Sequence, residues 1–170
     1  SQHLTDRMAR SMRALEKAGK LQRRLEALPD DDALADRQRT GTGFVRPELC
    51  VLMAYSKNAL SEALVASDLP DSPLLRRDLI EYFPPPLRER FKSYILAHRL
   101  RREIVSTVVT NELINRVGIA FVNEVGEATG ASPAAITRAY VAAREIVSVR
   151  GPWSEIEALD NRVPATTQVD

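Results

Sequence analysis

The stretch from Ala97 to Val122, AHRLRREIVSTVVTNELINRVGIAFV, constrains the fold more than any other part of this chain. After a charged start it becomes so apolar that little of a helix built from it can face water. At 100° per residue Val105, Val109, Leu113 and Val117 cover one part of the circumference, and Leu100, Ile104 and Val108 another. A helix apolar on several sides must be surrounded, so this segment is predicted to be the central helix of a bundle. Asn111 and Asn115 fall on the face of Leu100, Ile104 and Val108. A buried amide left unbonded costs about 1–3 kcal/mol. The two asparagines are therefore expected either to bond a neighbouring helix end or loop, or to fix register at a domain or subunit interface.

The rest of the chain is built to surround such a helix. Ser1 to Leu28 reads as one amphipathic helix capped near Thr5, with Leu4, Met8, Leu15, Ala18 and Leu25 drifting round its apolar side. Across from them, Arg10, Arg13, Lys17, Lys20 and Arg24 form a basic stripe. Pro29 and Asp30 to Asp32 end that helix and cap a short polar one reaching about Arg39. Thr40 to Val45 is the best candidate boundary. A strong helix follows from Pro47 to Ala66, with Leu49, Leu52, Met53, Leu60, Ala63 and Leu64 on one face beside the small Ser56 and Ala59. Pro73 suits the first turn of a short helix carrying Leu74, Leu75, Leu79 and Ile80. Pro84 to Pro86 form a rigid junction from which the next helix starts at about Pro86.

Leu87 to Gly118 holds no proline and no internal glycine, so it reads as one long helix or as two joined near His98. Ile119 to Thr129 continues as a helix closed by Gly130. Ser132-Pro133 opens another, with Ile136, Ala139, Tyr140, Ala143 and Val147 as its buried stripe. Gly151-Pro152 ends it, and a last short helix is expected from Trp153 to Leu159. No segment alternates with the period of a half-buried strand, so the fold class is all-α: an irregular multi-helix bundle without a sheet. The expected organisation is 1–45 as an amphipathic helix, short helix and linker, 46–161 as the bundle, and 162–170 as a tail, the start of a further segment in a chain cut from something longer.

Chemistry is harder to find. Gly41-Thr42-Gly43 begins like a nucleotide-binding fingerprint, but Arg46 replaces the third glycine and no strand precedes it. Only His3 and His98 offer imidazoles, and a Cys50/His98 nucleophilic pair would need support from a fold the sequence does not show. A single cysteine excludes an internal disulfide and a multi-thiolate metal site, and is consistent with a reducing cytosol. Glu89 with Lys92 and Lys57 with Glu62 are ordinary helix-surface pairs. No catalytic, cofactor-binding or metal residue is assigned. The 24 basic and 23 acidic residues leave a net +1, so no overall field gathers nucleic acid or an anionic membrane. No apolar run approaches a membrane span, and a cytoplasmic location is expected.

Several blocks in order do carry a resemblance. They are Arg46-Pro47-Glu48-Leu49 with Leu52-Met53-Ala54-Tyr55-Ser56-Lys57; Ser67-Asp68-Leu69-Pro70-Asp71; Tyr82-Phe83-Pro84 with Leu87-Arg88-Glu89-Arg90; and His98-Arg99-Leu100-Arg101-Arg102-Glu103-Ile104. Asn115-Arg116, Gly118-Ile119, Phe121-Val122, Thr129 to Pro133, and Trp153 with Ile156-Glu157 and Leu159-Asp160-Asn161 complete them. Together they make the chain similar to the C-terminal helical region of the large bacterial NAD-specific glutamate dehydrogenases; the first 40 residues match less distinctively. Members of that family oxidise L-glutamate to 2-oxoglutarate and ammonia with NAD, using a catalytic Lys and Asp and a Rossmann site, all upstream of this region.

The resemblance thus implies a noncatalytic segment, inactive alone, with a scaffolding, interdomain or regulatory role. Its partners would be the upstream catalytic domain of the same chain and other subunits of a homo-oligomer. Val45 departs from the pattern, since the family usually has Thr or Ser there to form a capping box with Glu48. The alternative from a different class is a free-standing helical adaptor that binds a partner or nucleic acid through the basic stripe.

Overall fold

A computed structural model describes residues 2–147 and residue 155. Among these residues the chain forms nine α-helices and two short 3-10 turns, with no strand, in agreement with the all-α expectation. The Gly151-Pro152 stop, the Trp153 to Leu159 helix and the 162–170 tail lie outside the described residues.

Helix α1 spans Gln2–Lys17 and stops well short of Leu28. The reason is Gly19, whose φ of +67° is a left-handed conformation natural to glycine. There the Lys20 N–H bonds the Leu15 carbonyl at 2.9 Å and the Gly19 N–H bonds the Glu16 carbonyl at 2.8 Å, the nested pair of a Schellman motif. The chain then runs irregularly, turning Leu21 and Leu28 inward and leaving Leu25 77% exposed. Asp30 caps α2, Asp31–Arg39, by accepting a 2.8 Å bond from the Ala33 N–H. A second nested pair at Gly41 closes that helix.

Helix α3, Arg46–Val65, begins with half of a capping box. The Val45 N–H donates to Glu48 Oε2 at 2.8 Å, but the valine side chain has no acceptor to return the bond. On α3, Leu52, Leu60 and Leu64 are buried, whereas Met53 is exposed. Two 3-10 turns, Leu69–Asp71 and Pro73–Leu75, lead into α4, Arg76–Tyr82. After Pro84 come α5, Pro85–Arg88, and α6, Lys92–Leu96, before α7, Arg101–Val117.

Residues 87–118 are therefore neither one helix nor two, because the chain breaks at 89–91 as well as at His98. At the second break His98 Nδ1 accepts the Leu100 N–H at 3.1 Å, and the Arg101 N–H bonds the His98 carbonyl at 3.0 Å. A side chain has replaced a helical partner, and the arginine-rich start of the opening stretch is a turn rather than a continuation of the helix.

Helix α7 is central, as its apolar excess requires, and of its two apolar faces the one carrying Val105, Val109 and Leu113 is buried while the asparagine face is not. Val105, Ser106, Val109, Thr110, Leu113 and Ile114 are buried, while Asn111 is only half-buried and Asn115 is exposed. Val105, Val109 and Leu113 fill the core, so the asparagine side turns outward. Gly118 then bends the chain at φ +91° into α8, Phe121–Thr129, which Gly130 closes at φ +72°. Ser132 Oγ caps α9, Pro133–Ile146, accepting the Ala135 N–H at 3.2 Å. The buried stripe of α9 is rotated: Ile136, Thr137, Val141 and Arg144 are inside, while Ala139, Ala143 and Val147 are exposed.

Two apolar clusters meet along α3. Leu60, Leu64, Leu69, Leu79, Val109, Leu113 and Val141 share one; Met8, Met12, Leu21, Leu28, Leu34 and Leu52 share the other, with Ile119 packed against both. Each fully buried aliphatic side chain of this kind contributes about 1.5–3 kcal/mol.

Candidate functional site

The most heavily buried charged residue is Arg144, whose side chain has no exposure at all. Its Nη1 and Nη2 donate to the two oxygens of Asp78 at 3.2 and 3.0 Å, a bidentate pair between α9 and α4. Nη1 also bonds Glu112 Oε2 of α7, and Nη2 lies 3.3 Å from Glu145 Oε1. The other oxygen of Glu112 accepts from the Tyr140 hydroxyl at 3.3 Å and lies 3.8 Å from Arg116 Nε. Burial, and then the negative charge of Glu112, push the Tyr140 phenol up to about 12.

All four carboxylate oxygens of Asp78 and Glu112 are thus engaged inside the protein. The arrangement commits each of these acceptors to at least one donor of the protein itself. It ties three helices together. Arg144 Nε has no hydrogen-bond partner among the described residues.

Two further bidentate pairs work at longer range in the sequence. Arg7 on α1 donates to Glu124 on α8 at 2.6 and 2.8 Å. Arg37 on α2 donates to Glu48 on α3 at 2.8 and 2.9 Å. Burial pushes the Glu48 carboxyl up, but the Arg37 and Val45 donors together hold it below the usual carboxylate range. Arg7 likewise holds the Glu124 carboxyl low. These pairs fasten the first 39 residues to the helices that follow.

One concavity of about 430 Å³ lies between α1, α3, α8 and the start of α9. Ala14, Ala18, Ala59 and Gly126 shape it, and its polar lining is Ser11, Ser56, Asn123 and Glu127. No histidine, cysteine or lysine among the described residues lines it, and its reactive groups are limited to the Ser11 and Ser56 hydroxyls and the Glu127 carboxylate.

The residues singled out from the sequence scatter. His98 packs against Phe83 with ring centroids 5.8 Å apart, and Cys50 is exposed on α3; the two form no hydrogen bond. Asn111 and Asn115 do not enter the core. The basic stripe is divided by the end of α1. Arg13 pairs with Asp31 at 2.9 Å, Arg10 lies 3.8 Å from Glu124, and Lys20, beyond the helix, pairs with Glu62. No group of three or more His, Cys, Asp or Glu among the described residues is arranged to hold a metal ion.

Arg144 and its carboxylates escaped the sequence reading. Arg144 does stand at helical spacing from Tyr140 and Val141, but a charged residue there reads as the edge of an apolar stripe. What the described residues define is a helical module fastened by arginine–carboxylate pairs, with its polar groups turned on one another.

The sequence model for the family "Glutamate dehydrogenase, C-terminal" matches residues 41–170, and the chain belongs to that family. It is 45% identical over 154 residues to an NAD-specific glutamate dehydrogenase of Halomonas elongata, covering 91% of this chain and 10% of that protein. It is 46% identical over 160 residues to the enzyme of the same name from Pseudomonas aeruginosa, covering 94% and 10%. The Mycobacterium tuberculosis enzyme of that name is 42% identical over 136 residues, covering 80% and 8%. The chain thus spans about a tenth of the length of these curated relatives. No helix among the described residues is long and apolar enough to cross a membrane.

Proposed function

We propose that these residues are the noncatalytic helical region of an NAD-specific glutamate dehydrogenase. The parent enzyme would convert L-glutamate, water and NAD to 2-oxoglutarate, ammonia and NADH. The observation that carries this reading is the family match over 41–170 combined with relatives of one name, of which the matched stretch is about a tenth. The arrangement of polar groups supports a bracing role: the buried charges are spent on joining α4, α7 and α9. NAD and the reacting carbon are bound upstream, where a lysine, an aspartate and a Rossmann site are expected. The region braces that catalytic part from the same chain and, in a homo-oligomer, meets other subunits. The reading also places the protein in the cytoplasm, where the exposed thiol of Cys50 stays reduced.

The test has two arms. The 170-residue chain is given glutamate and NAD, and formation of NADH is followed at 340 nm; no turnover is expected. The longer chain carrying these residues is assayed in the same way and should turn over. NADH production by the 170 residues alone, or an upstream sequence without a dehydrogenase domain, refutes the reading.

A further inference from the structure

Helices α4, α5 and α6 pack on one another and leave an unusual outer surface. Tyr94 is 75% exposed and Tyr82 57%, and Leu87 and Phe91 are also exposed. Phe91 and Tyr94 stack edge-on with centroids 6.3 Å apart, and the Arg90 guanidinium lies over the Phe91 ring at 5.2 Å. Four large apolar side chains in thirteen residues are more than isolated surface hydrophobes, and Tyr, Phe and Arg are the residues that anchor protein interfaces.

The charge is equally one-sided. Residues 76–102 hold eight arginines and lysines against Asp78, Glu81 and Glu89, a net +5 in a chain whose total is +1, and of the eight Arg101 and Arg102 pair with Asp71. Asp78 is withdrawn into the core by Arg144, and Glu81 pairs with Arg77. No carboxylate among the described residues pairs with Arg90 or Lys92, which flank Phe91 in the chain, or with Arg99. Their counter-charge is left to a partner.

We propose that this surface docks on the remaining part of the same polypeptide, at a patch with an apolar centre and an acidic rim. The inference rests on the reading of these residues as part of a longer dehydrogenase. That reading supplies the occupant, because nine-tenths of the length of the relatives lies outside the stretch this chain matches. Leu87, and the carboxylates Glu81 and Glu89 among the cations, suit a protein surface better than a phosphate backbone.

Hydroxyl-radical footprinting compares Tyr82, Phe91 and Tyr94 in the 170-residue chain and in the full-length chain, with the half-buried Tyr140, whose oxidation rate is read in both, as the control for an intact fold. Oxidation of Phe91 and Tyr94 should be at least tenfold slower in the full-length chain, at concentrations where it is monomeric. The double variant Arg90→Glu/Lys92→Glu should restore most of the oxidation rate while the rate at Tyr140 stays unchanged.

Equal oxidation in both chains overturns the proposal. So does protection that disappears on dilution, which assigns the surface to a second copy, or on nuclease treatment, which assigns it to nucleic acid. Protection untouched by the charge reversal overturns the acidic rim. A full-length chain that docks but makes no NADH from glutamate removes the dehydrogenase reading and leaves the surface assignment standing.

Discussion

Replacing Arg144 by methionine tests the central fastening of this fold. Methionine fills a similar volume, so the change removes the guanidinium rather than opening a large cavity. Asp78 is 3% exposed and Glu112 is 17% exposed at the side chain, and both accept bonds from Arg144. Without it the Asp78 carboxylate stays buried with neither of its two Arg144 bonds. Removing one member of a buried pair typically costs about 3–5 kcal/mol, because the remaining charge is desolvated without compensation. In a chain of this size that loss lowers the unfolding temperature by about 6–20 °C, taking roughly 2–4 °C per kcal/mol.

The double variant Arg144→Met/Asp78→Leu removes the buried charge together with its partner and should recover most of the loss, since an apolar replacement of a buried pair is commonly neutral or stabilising. Urea unfolding followed by far-UV circular dichroism measures both variants against the unaltered chain. A single variant within about 1 kcal/mol of the parent, or a double variant no better than the single, would refute the account of Arg144 as compensation for buried carboxylate charge.

Val45→Thr supplies the hydroxyl missing from the capping box of α3 and should stabilise by about 0.5–2 kcal/mol, read as a higher urea midpoint with unchanged slope; a lower midpoint counts against the half-box geometry. Gly19→Ala forces a side chain into a left-handed conformation and should destabilise by about 1–2 kcal/mol, whereas a stabilisation of about 0.5–1 kcal/mol would show that α1 continues through this position. Tyr140 should ionise near pH 12, giving the last step of the tyrosinate absorbance titration, and Glu112→Gln should bring that step down. Because its folded value lies above the unfolded value of 10, Tyr140 contributes stability that is complete below about pH 10 and is lost as pH rises through about 12. Unfolding midpoints that stay flat across that interval would contradict its burial.

The sequence alone determined what local rules decide. Helical periodicity, the Ser132-Pro133 and Asp30 caps and the Gly130 stop located α2, α3, α8 and α9 closely, because those signals act within a turn or two of chain. The apolar excess of 105–117 was enough to place α7 at the centre. Its order of residue blocks pointed to the family that the comparisons later showed. Gly19 carried a helix stop that was legible but outweighed by the continuing apolar drift toward Leu25.

What only the tertiary structure decided is which way each helix is turned. On α7 and α9 more than one face is apolar enough to go inside, so periodicity leaves the rotation open. The contacts that choose it come from residues 28 and 66 positions away: Tyr140 with Glu112 and Arg144 with Asp78. A buried arginine is stable only where two carboxylates from other helices converge on it, and that convergence exists in the packed bundle and nowhere in the linear order of residues.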